Sequence, residues 1–228
     1  MAEKNYLKRI AERGQLIVIS GASGVGKRTV VKEYIKKHPL AMRCVSVTTR
    51  PMRPGEVDGE EHWFITNQEF EVMIRTNQLY EHSYYNMYGY GITRTAVDQA
   101  RAAGRNVILI EDATGAMRVR ALCPDATLIF IVSPTWAELE QRIRDRHAGE
   151  SEEEIQEFIG SAQEEILCAG QYDYILVNDT VEKTVDRLGQ IIHGNRYRAA
   201  SMKGFIDDYI ESEITSEMAK ELKKFDSQ

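Results

Sequence analysis

Gly21, Gly24 and Gly26 lead directly into Lys27 in the stretch GASGVGKRTV, residues 21–30. That spacing suits a phosphate cradle. Successive backbone N–H groups can converge on one anion with a helix N-terminus behind them, and side chains at the glycines would obstruct the approach. The pattern is a Walker A loop, with Ala22, Ser23 and Val25 in the variable places and Lys27 able to reach the outer phosphates. The hydroxyl that usually follows the lysine is replaced by Arg28 and arrives one residue later, at Thr29. Residues 21–29 are expected to bind a nucleotide, ATP, with Thr29 the candidate for holding its metal.

A second set of charged groups lies in SVTTRPMRPGEVDGEEHWF, residues 46–64, where Arg50 and Arg53 sit on an extended, proline-punctuated segment. Two guanidinium forks this close can grip a phosphate dianion through bidentate hydrogen bonds, although a solvated basic loop would have the same composition.

These groups need elements to hold them. QLIVIS (15–20) is a short β-branched run that enters the glycine loop, and after it RTVVKEYIKKH places Val30, Val31, Tyr34 and Ile35 on one helical face. Further buried strands are expected at 106–110, 127–132 and 172–177, with helices over 93–103 and 135–147 between them. Apolar strands alternating with helices predict parallel strands joined by crossovers, hence an α/β fold. Residues 44–92 read differently. VSVTTR, HWFIT and many tyrosines flank a helical NQEFEVMIRTNQ, which predicts a small mixed sheet inserted into the parallel core. RIRDRHAGESEEEIQEF predicts two helices with a mobile link, and from about 195 onward Phe205, Ile206, Tyr209 and Ile210 form an apolar stripe suited to docking on the domain or on another subunit.

The 228 residues, 43% hydrophobic and 28% charged, suffice for one large globular domain with appendages. No apolar run is long enough to cross a bilayer, and the charged N-terminal residues lack a secretory pattern. Cys44, Cys123 and Cys168 are widely spaced and odd in number, as expected of reduced thiols in a cytoplasmic protein. A net charge of -6 argues against nucleic acid as a partner.

Over residues 14–193 the chain resembles the guanylate kinases. TTRPMRPGEVDGEEHWF is close to that family's GMP-binding signature, and LYEHSYYNMYGYG, ATGAMRVRALCPDA, FIVSPTWAELEQRIRDR and YDYILVNDTVE follow in order. The resemblance implies a P-loop core whose parallel sheet is flanked by helices, a GMP-binding mixed-sheet insert at about 44–92 and a helical lid at about 142–165. Residues 1–13 and 194–228 would then be extensions. It also implies transfer of the γ-phosphate of ATP to GMP with Mg2+, by a monomer or homodimer. By motif, Arg50 and Arg53 would hold the GMP phosphate with Tyr90 and, in place of the family's tyrosine, His62. Ser46 and Glu81 would face the guanine, whose N1–H and 2-amino hydrogens a carboxylate can accept. Arg142 and Arg146 would meet the ATP phosphates, and Asp112 would lie near metal and phosphates.

The chain departs from the family pattern at functional positions. Besides Arg28 and His62, Ile92 replaces a hydroxyl beside the base, and Ile110 replaces the first of two acids, leaving Glu111 and Asp112. Strand alternation would turn Glu111 away from the site. Phe158 aligns with a lid arginine, and no Lys or Arg lies between Arg146 and Lys183. The expectation is a guanylate kinase slowed by lid and base-site substitutions. Two alternatives stand beside it: a catalytically weak module binding nucleotide or phosphopeptide, and a kinase for another phosphorylated acceptor.

Overall fold

The computed structural model of the chain describes residues 13–85, 87–199, 201–215 and 218. The expected extension 1–13 therefore lies almost wholly outside the described residues.

The core is a five-stranded sheet in the order β2-β7-β1-β8-β9, with every pairing parallel. Its strands are β1 (Leu16–Ser20), β2 (Ala41–Arg43), β7 (Asn106–Ile110), β8 (Thr127–Val132) and β9 (Tyr174–Val177). Alternation along the buried strands feeds two apolar layers. Leu16, Val18, Val107, Leu109 and Leu128 pack on one face, and Ile17, Ile19, Ile108, Ile129 and Ile131 on the other. Burying each such side chain is worth about 1.5–3 kcal/mol, which is why these continuous apolar runs settle in a sheet covered on both faces.

Helices α1 (Lys27–Lys37), α3 (Arg94–Ala102), α4 (Ala113–Leu122), α5 (Trp136–Arg146), α6 (Glu152–Leu167) and α7 (Val181–Asn195) supply that cover. The strands expected at 106–110 and 127–132 form with those bounds. The one expected from 172 begins at Tyr174, because a 3-10 turn at Ala169–Gln171 continues into a Tyr172 N–H bond to the Ala169 carbonyl at 3.2 Å. The edge strand β2 was not legible. At three residues, with only Ala41 buried, it carries no periodic signal and exists through its pairing with β7.

The inserted segment forms a mixed sheet as expected, in the order β4-β3-β6-β5. β3 (Ser46–Thr48) runs parallel to β4 (His62–Phe64) and antiparallel to β6 (Tyr88–Thr93), which pairs antiparallel with β5 (Leu79–Tyr85). Helix α2 (Asn67–Arg75) seats Phe70 against Val47 and Leu79. It starts at a capping box, Thr66 with Glu69, and stops short of the expected 78 because Asn77 takes a left-handed φ of 57°. Near the C-terminus, α8 (Lys203–Tyr209) runs into a π-helical turn, Ile210–Ile214, and Ile206, Tyr209 and Ile210 of the apolar stripe stay about half exposed.

Candidate functional site

The chain leaves β1 at Ser20, and the glycine loop delivers it to α1 at Lys27. Gly21, Gly24 and Gly26 all take positive φ. At Gly21 no other residue fits: φ is +139°, and an added Cβ would lie 2.2 Å from the Ile131 carbonyl oxygen of the neighbouring strand. Helices α2 to α7 each begin with a side-chain cap, from Thr66, Thr93, Asp112, Thr135, Ser151 and Thr180. Helix α1 begins at Gly26 with none, which leaves its first N–H groups for an external anion. Asn178 fixes the loop from behind. Its Nδ2 donates to the Val25 carbonyl at 2.7 Å, while Thr184 Oγ1 donates to its Oδ1 at 2.9 Å. Val25 itself points into the core, so it serves the loop through its backbone.

In front of the loop lies a cavity of about 790 Å³, the size of a small-molecule site. Ala22, Ser23, Gly24, Gly26, Lys27, Arg28 and Thr29 form one wall, and Arg142, Arg146 and Asp112 reach it from α5 and the start of α4. Lys27 Nζ donates to the Gly21 carbonyl and, at 3.2 Å, to that of Ala22. Burial draws its pKa below the ordinary value, Arg146 and Arg28 add repulsion, and Glu165 and Asp112 oppose the shift. Arg146 Nη1 donates to Ser23 Oγ at 3.4 Å, and Arg142 pairs with Glu138 at 3.4 Å. Glu165, on α6, was missed from sequence. It lines this cavity with a buried Oε2 that has no partner, and burial raises its pKa against the pull of Lys27. No local pattern in EEEIQEFIGSAQEEIL marks that one glutamate among its neighbours.

A smaller cavity, about 310 Å³, lies between the two sheets. Ser46, His62, Glu81, Tyr90 and Ile92 line it from the mixed sheet. Ser46 Oγ and His62 Nδ1 are hydrogen bonded at 2.7 Å, and burial with the nearby Arg50 lowers the His62 pKa, so the imidazole is neutral at pH 7. Glu81 is buried, and desolvation with the adjacent Asp112 lifts its pKa to about 7.

Glu111 corrects the alternation argument. β7 ends at Ile110, so strand alternation does not extend to the next residue. Glu111 lines both cavities, with its carbonyl accepting from Ser20 Oγ at 2.8 Å. Desolvation, then Glu81 and Asp112, push it up to about 9. Gly115 lets the two carboxyls share this corner, since a Cβ there would lie 2.9 Å from Glu81 Cγ and 3.2 Å from Glu111 Oε2. Asp112 spends Oδ1 on the Gly115 N–H at 2.7 Å, capping α4.

Arg50 and Arg53 stand next to the smaller cavity and not on its wall. Glu56, also missed from sequence, gathers them. Arg50 donates to both Glu56 oxygens at 2.8 and 2.7 Å, and the Arg53 N–H donates to Oε2 at 2.7 Å. Those bonds hold Glu56 down to about 2. They occupy one edge of the Arg50 guanidinium, which also donates from Nη1 to the Pro51 carbonyl at 2.8 Å, hydrogen bonds with Tyr90 and lies over the Phe64 ring at 5.4 Å.

A family model described as guanylate kinase matches residues 13–195. The guanylate kinase of Thermobifida fusca (strain YX) is 43% identical over 178 residues, spanning 78% of this chain and 90% of that one. That of Synechococcus sp. (strain JA-3-3Ab) is 40% identical over 183 residues, 80% and 84% of the two chains. The chain belongs to the guanylate kinase family.

The fold agrees. The crystal structure of guanylate kinase from Anaplasma phagocytophilum superposes with a TM-score of 0.64 at 24% identity, covering 88% of this chain and 96% of that one. Phe158, expected to align with a lid arginine, stacks on His147 with ring centroids 4.0 Å apart and packs against the core. Ile92 and Ile110 line the smaller cavity with apolar surface, as their types imply. Among the described residues no group of three or more His, Cys, Asp or Glu side chains gathers to hold a metal ion by itself. A kinase in this family uses a divalent metal with ATP, and an ion held chiefly by nucleotide phosphates and water needs only one or two protein ligands. Asp112 and Thr29 at the large cavity fit that requirement. No helix among the described residues is long and apolar enough to cross a membrane.

Proposed function

We infer that this protein is an ATP-dependent guanylate kinase that transfers the γ-phosphate of ATP to GMP, giving ADP and GDP. One observation carries the residue assignment: a cavity walled by the phosphate loop meets a cavity walled by Ser46, Glu81 and Tyr90, and the two share Arg28, Ile110 and Glu111. A donor and an acceptor bound on either side would meet in line.

The ATP phosphates lie along the loop, bound by its N–H groups and by Lys27, which exchanges loop carbonyls for phosphate oxygens. Arg142 and Arg146 approach from α5. Guanine enters the smaller cavity, where the ionised Glu81 accepts its N1–H and 2-amino hydrogens and Ser46 contacts the base edge. The GMP phosphate takes the free edge of Arg50, with Arg53, Tyr90 and one neutral hydrogen bond from His62. An oxygen of that phosphate bonds to the γ-phosphorus as the bond to the β,γ-bridging oxygen breaks, and the electron pair leaves with ADP. There is little covalent chemistry for the protein to do, so its work is positioning and charge. Mg2+ arriving with ATP would neutralise phosphate charge, with Asp112 and Thr29 holding it. The chain would do this in the cytoplasm.

A coupled assay of ADP release from ATP and Mg2+, with and without GMP, tests the reading. Release that depends on GMP and exceeds that with AMP, CMP or UMP is expected. Faster release with another monophosphate or a sugar phosphate would overturn the acceptor.

A further inference from the structure

Phosphoryl transfer between the two cavities must cross the wall they share, and Arg28 is the one described cation on both sides of it. Most of the other cations nearby have partners, and Arg43, whose side chain has none among the described residues, lines the smaller cavity only. Lys27 donates to the carbonyls of Gly21 and Ala22, Arg146 to Ser23, Arg142 pairs with Glu138, and Arg50 with Glu56. The Arg28 side chain makes no hydrogen bond or ion pair among the described residues, and it lines the large cavity beside Lys27. Side-by-side cations with one fork unused form a site prepared for a polyanion. Helix α6 presents Glu165 to the large cavity and has no Lys or Arg anywhere along it. The missing cation on that side and the extra cation on α1 thus face the same space.

We propose that Arg28 is a catalytic residue whose guanidinium donates to the oxygens of the phosphoryl group while it passes between the cavities. The proposal rests on the kinase reading above. Charge spreads over the equatorial oxygens of the moving group in the transition state, and a forked donor already on the wall between the cavities binds it without reorganisation.

The test combines kinetics and binding on the full chain with Arg28→Met, which keeps length and removes charge, and Arg28→Lys, which keeps charge without the fork. The binding probes are ATP, GMP and an adenosine–guanosine pentaphosphate, whose phosphate chain spans both cavities. For Arg28→Met, kcat is expected to fall on the order of 10³-fold with both KM values little changed. Affinity for the pentaphosphate should fall at least about tenfold while affinities for ATP and GMP alone hold, and Arg28→Lys should recover part of each loss. An unchanged kcat, or a loss confined to ATP affinity, would overturn the proposal. If the unsubstituted protein releases no ADP in response to GMP, the acceptor reading fails. The pentaphosphate then still decides Arg28: equal binding by the protein and Arg28→Met overturns its role, and selective loss sustains it.

Discussion

The two cavities meet at one wall but are made of different materials. The phosphate-loop side is built from backbone: a left-handed glycine path, an uncapped helix start and a Val25 carbonyl pinned by Asn178. Such a site depends on where the chain runs, so replacing one side chain, as at Arg28, leaves the cradle standing. The acceptor side is built from side chains that perturb one another. Glu81 and Glu111 crowd past Gly115, Ser46 holds His62, and Glu56 holds Arg50. There a single substitution changes the charge or aim of its neighbours. The backbone-built half tolerates variation, and the side-chain-built half turns it into specificity.

The sharpest break in that comparison is at Lys27, the side chain on which the backbone site most depends. Lys27→Met should lower kcat on the order of 10²–10³-fold, measured with saturating ATP and GMP, while leaving the melting temperature nearly unchanged. A large drop in melting temperature would mean that its bonds to the loop carbonyls hold the fold as well.

On the acceptor side Arg50→Ala should weaken GMP binding by about 1.5–3 kcal/mol, roughly ten- to a hundredfold, with ATP affinity preserved. Glu56→Gln should produce a smaller loss in the same direction, because it loosens the fork that Glu56 orients. Calorimetry with each nucleotide separates the cases, and equal losses for ATP and GMP would contradict the two-material division.

Glu81→Gln should shrink the GMP over AMP preference by about one to a few kcal/mol, the cost of facing guanine donors with an amide donor. It should also remove a pH dependence. Since the Glu81 carboxyl is lifted to about 7 and guanine binds its ionised form, GMP affinity should strengthen as pH rises through that value, and the variant should titrate flat there.

A further effect concerns stability. The folded Glu111 holds its proton up to about 9, well above the ordinary 4.5, so its favourable contribution is complete below about 4.5 and is lost as pH rises through 9. Glu111→Gln should therefore melt close to the parent protein in acid and above it near pH 9. Parallel melting curves at every pH would show that Glu111 sits in a wetter place than its burial indicates.

Much of the architecture was legible in the chain. The run NVILI is a strand because five apolar residues in a row can bury both faces only in a covered sheet, and GASGVGK is a loop because its glycines suit left-handed turns. Arg142, Arg146 and Asp112, assigned by resemblance, come together at the large cavity. Glu165, Glu56 and Asn178 carried no such mark. Each is one polar residue among many, and its role comes from a partner distant in sequence or from a loop turn that no period describes.

The sequence by itself determined most of the elements, the parallel sense of the core strands and the phosphate loop, because those depend on local backbone preference and on the spacing of apolar residues. Only the tertiary structure decided that Glu111 turns into the site, that Phe158 withdraws into packing against His147, and that Arg28 stands between the cavities. Those outcomes depend on where a strand ends and on how strongly neighbouring groups desolvate one another. Burial and charge become local quantities only after residues distant in the chain have been brought together.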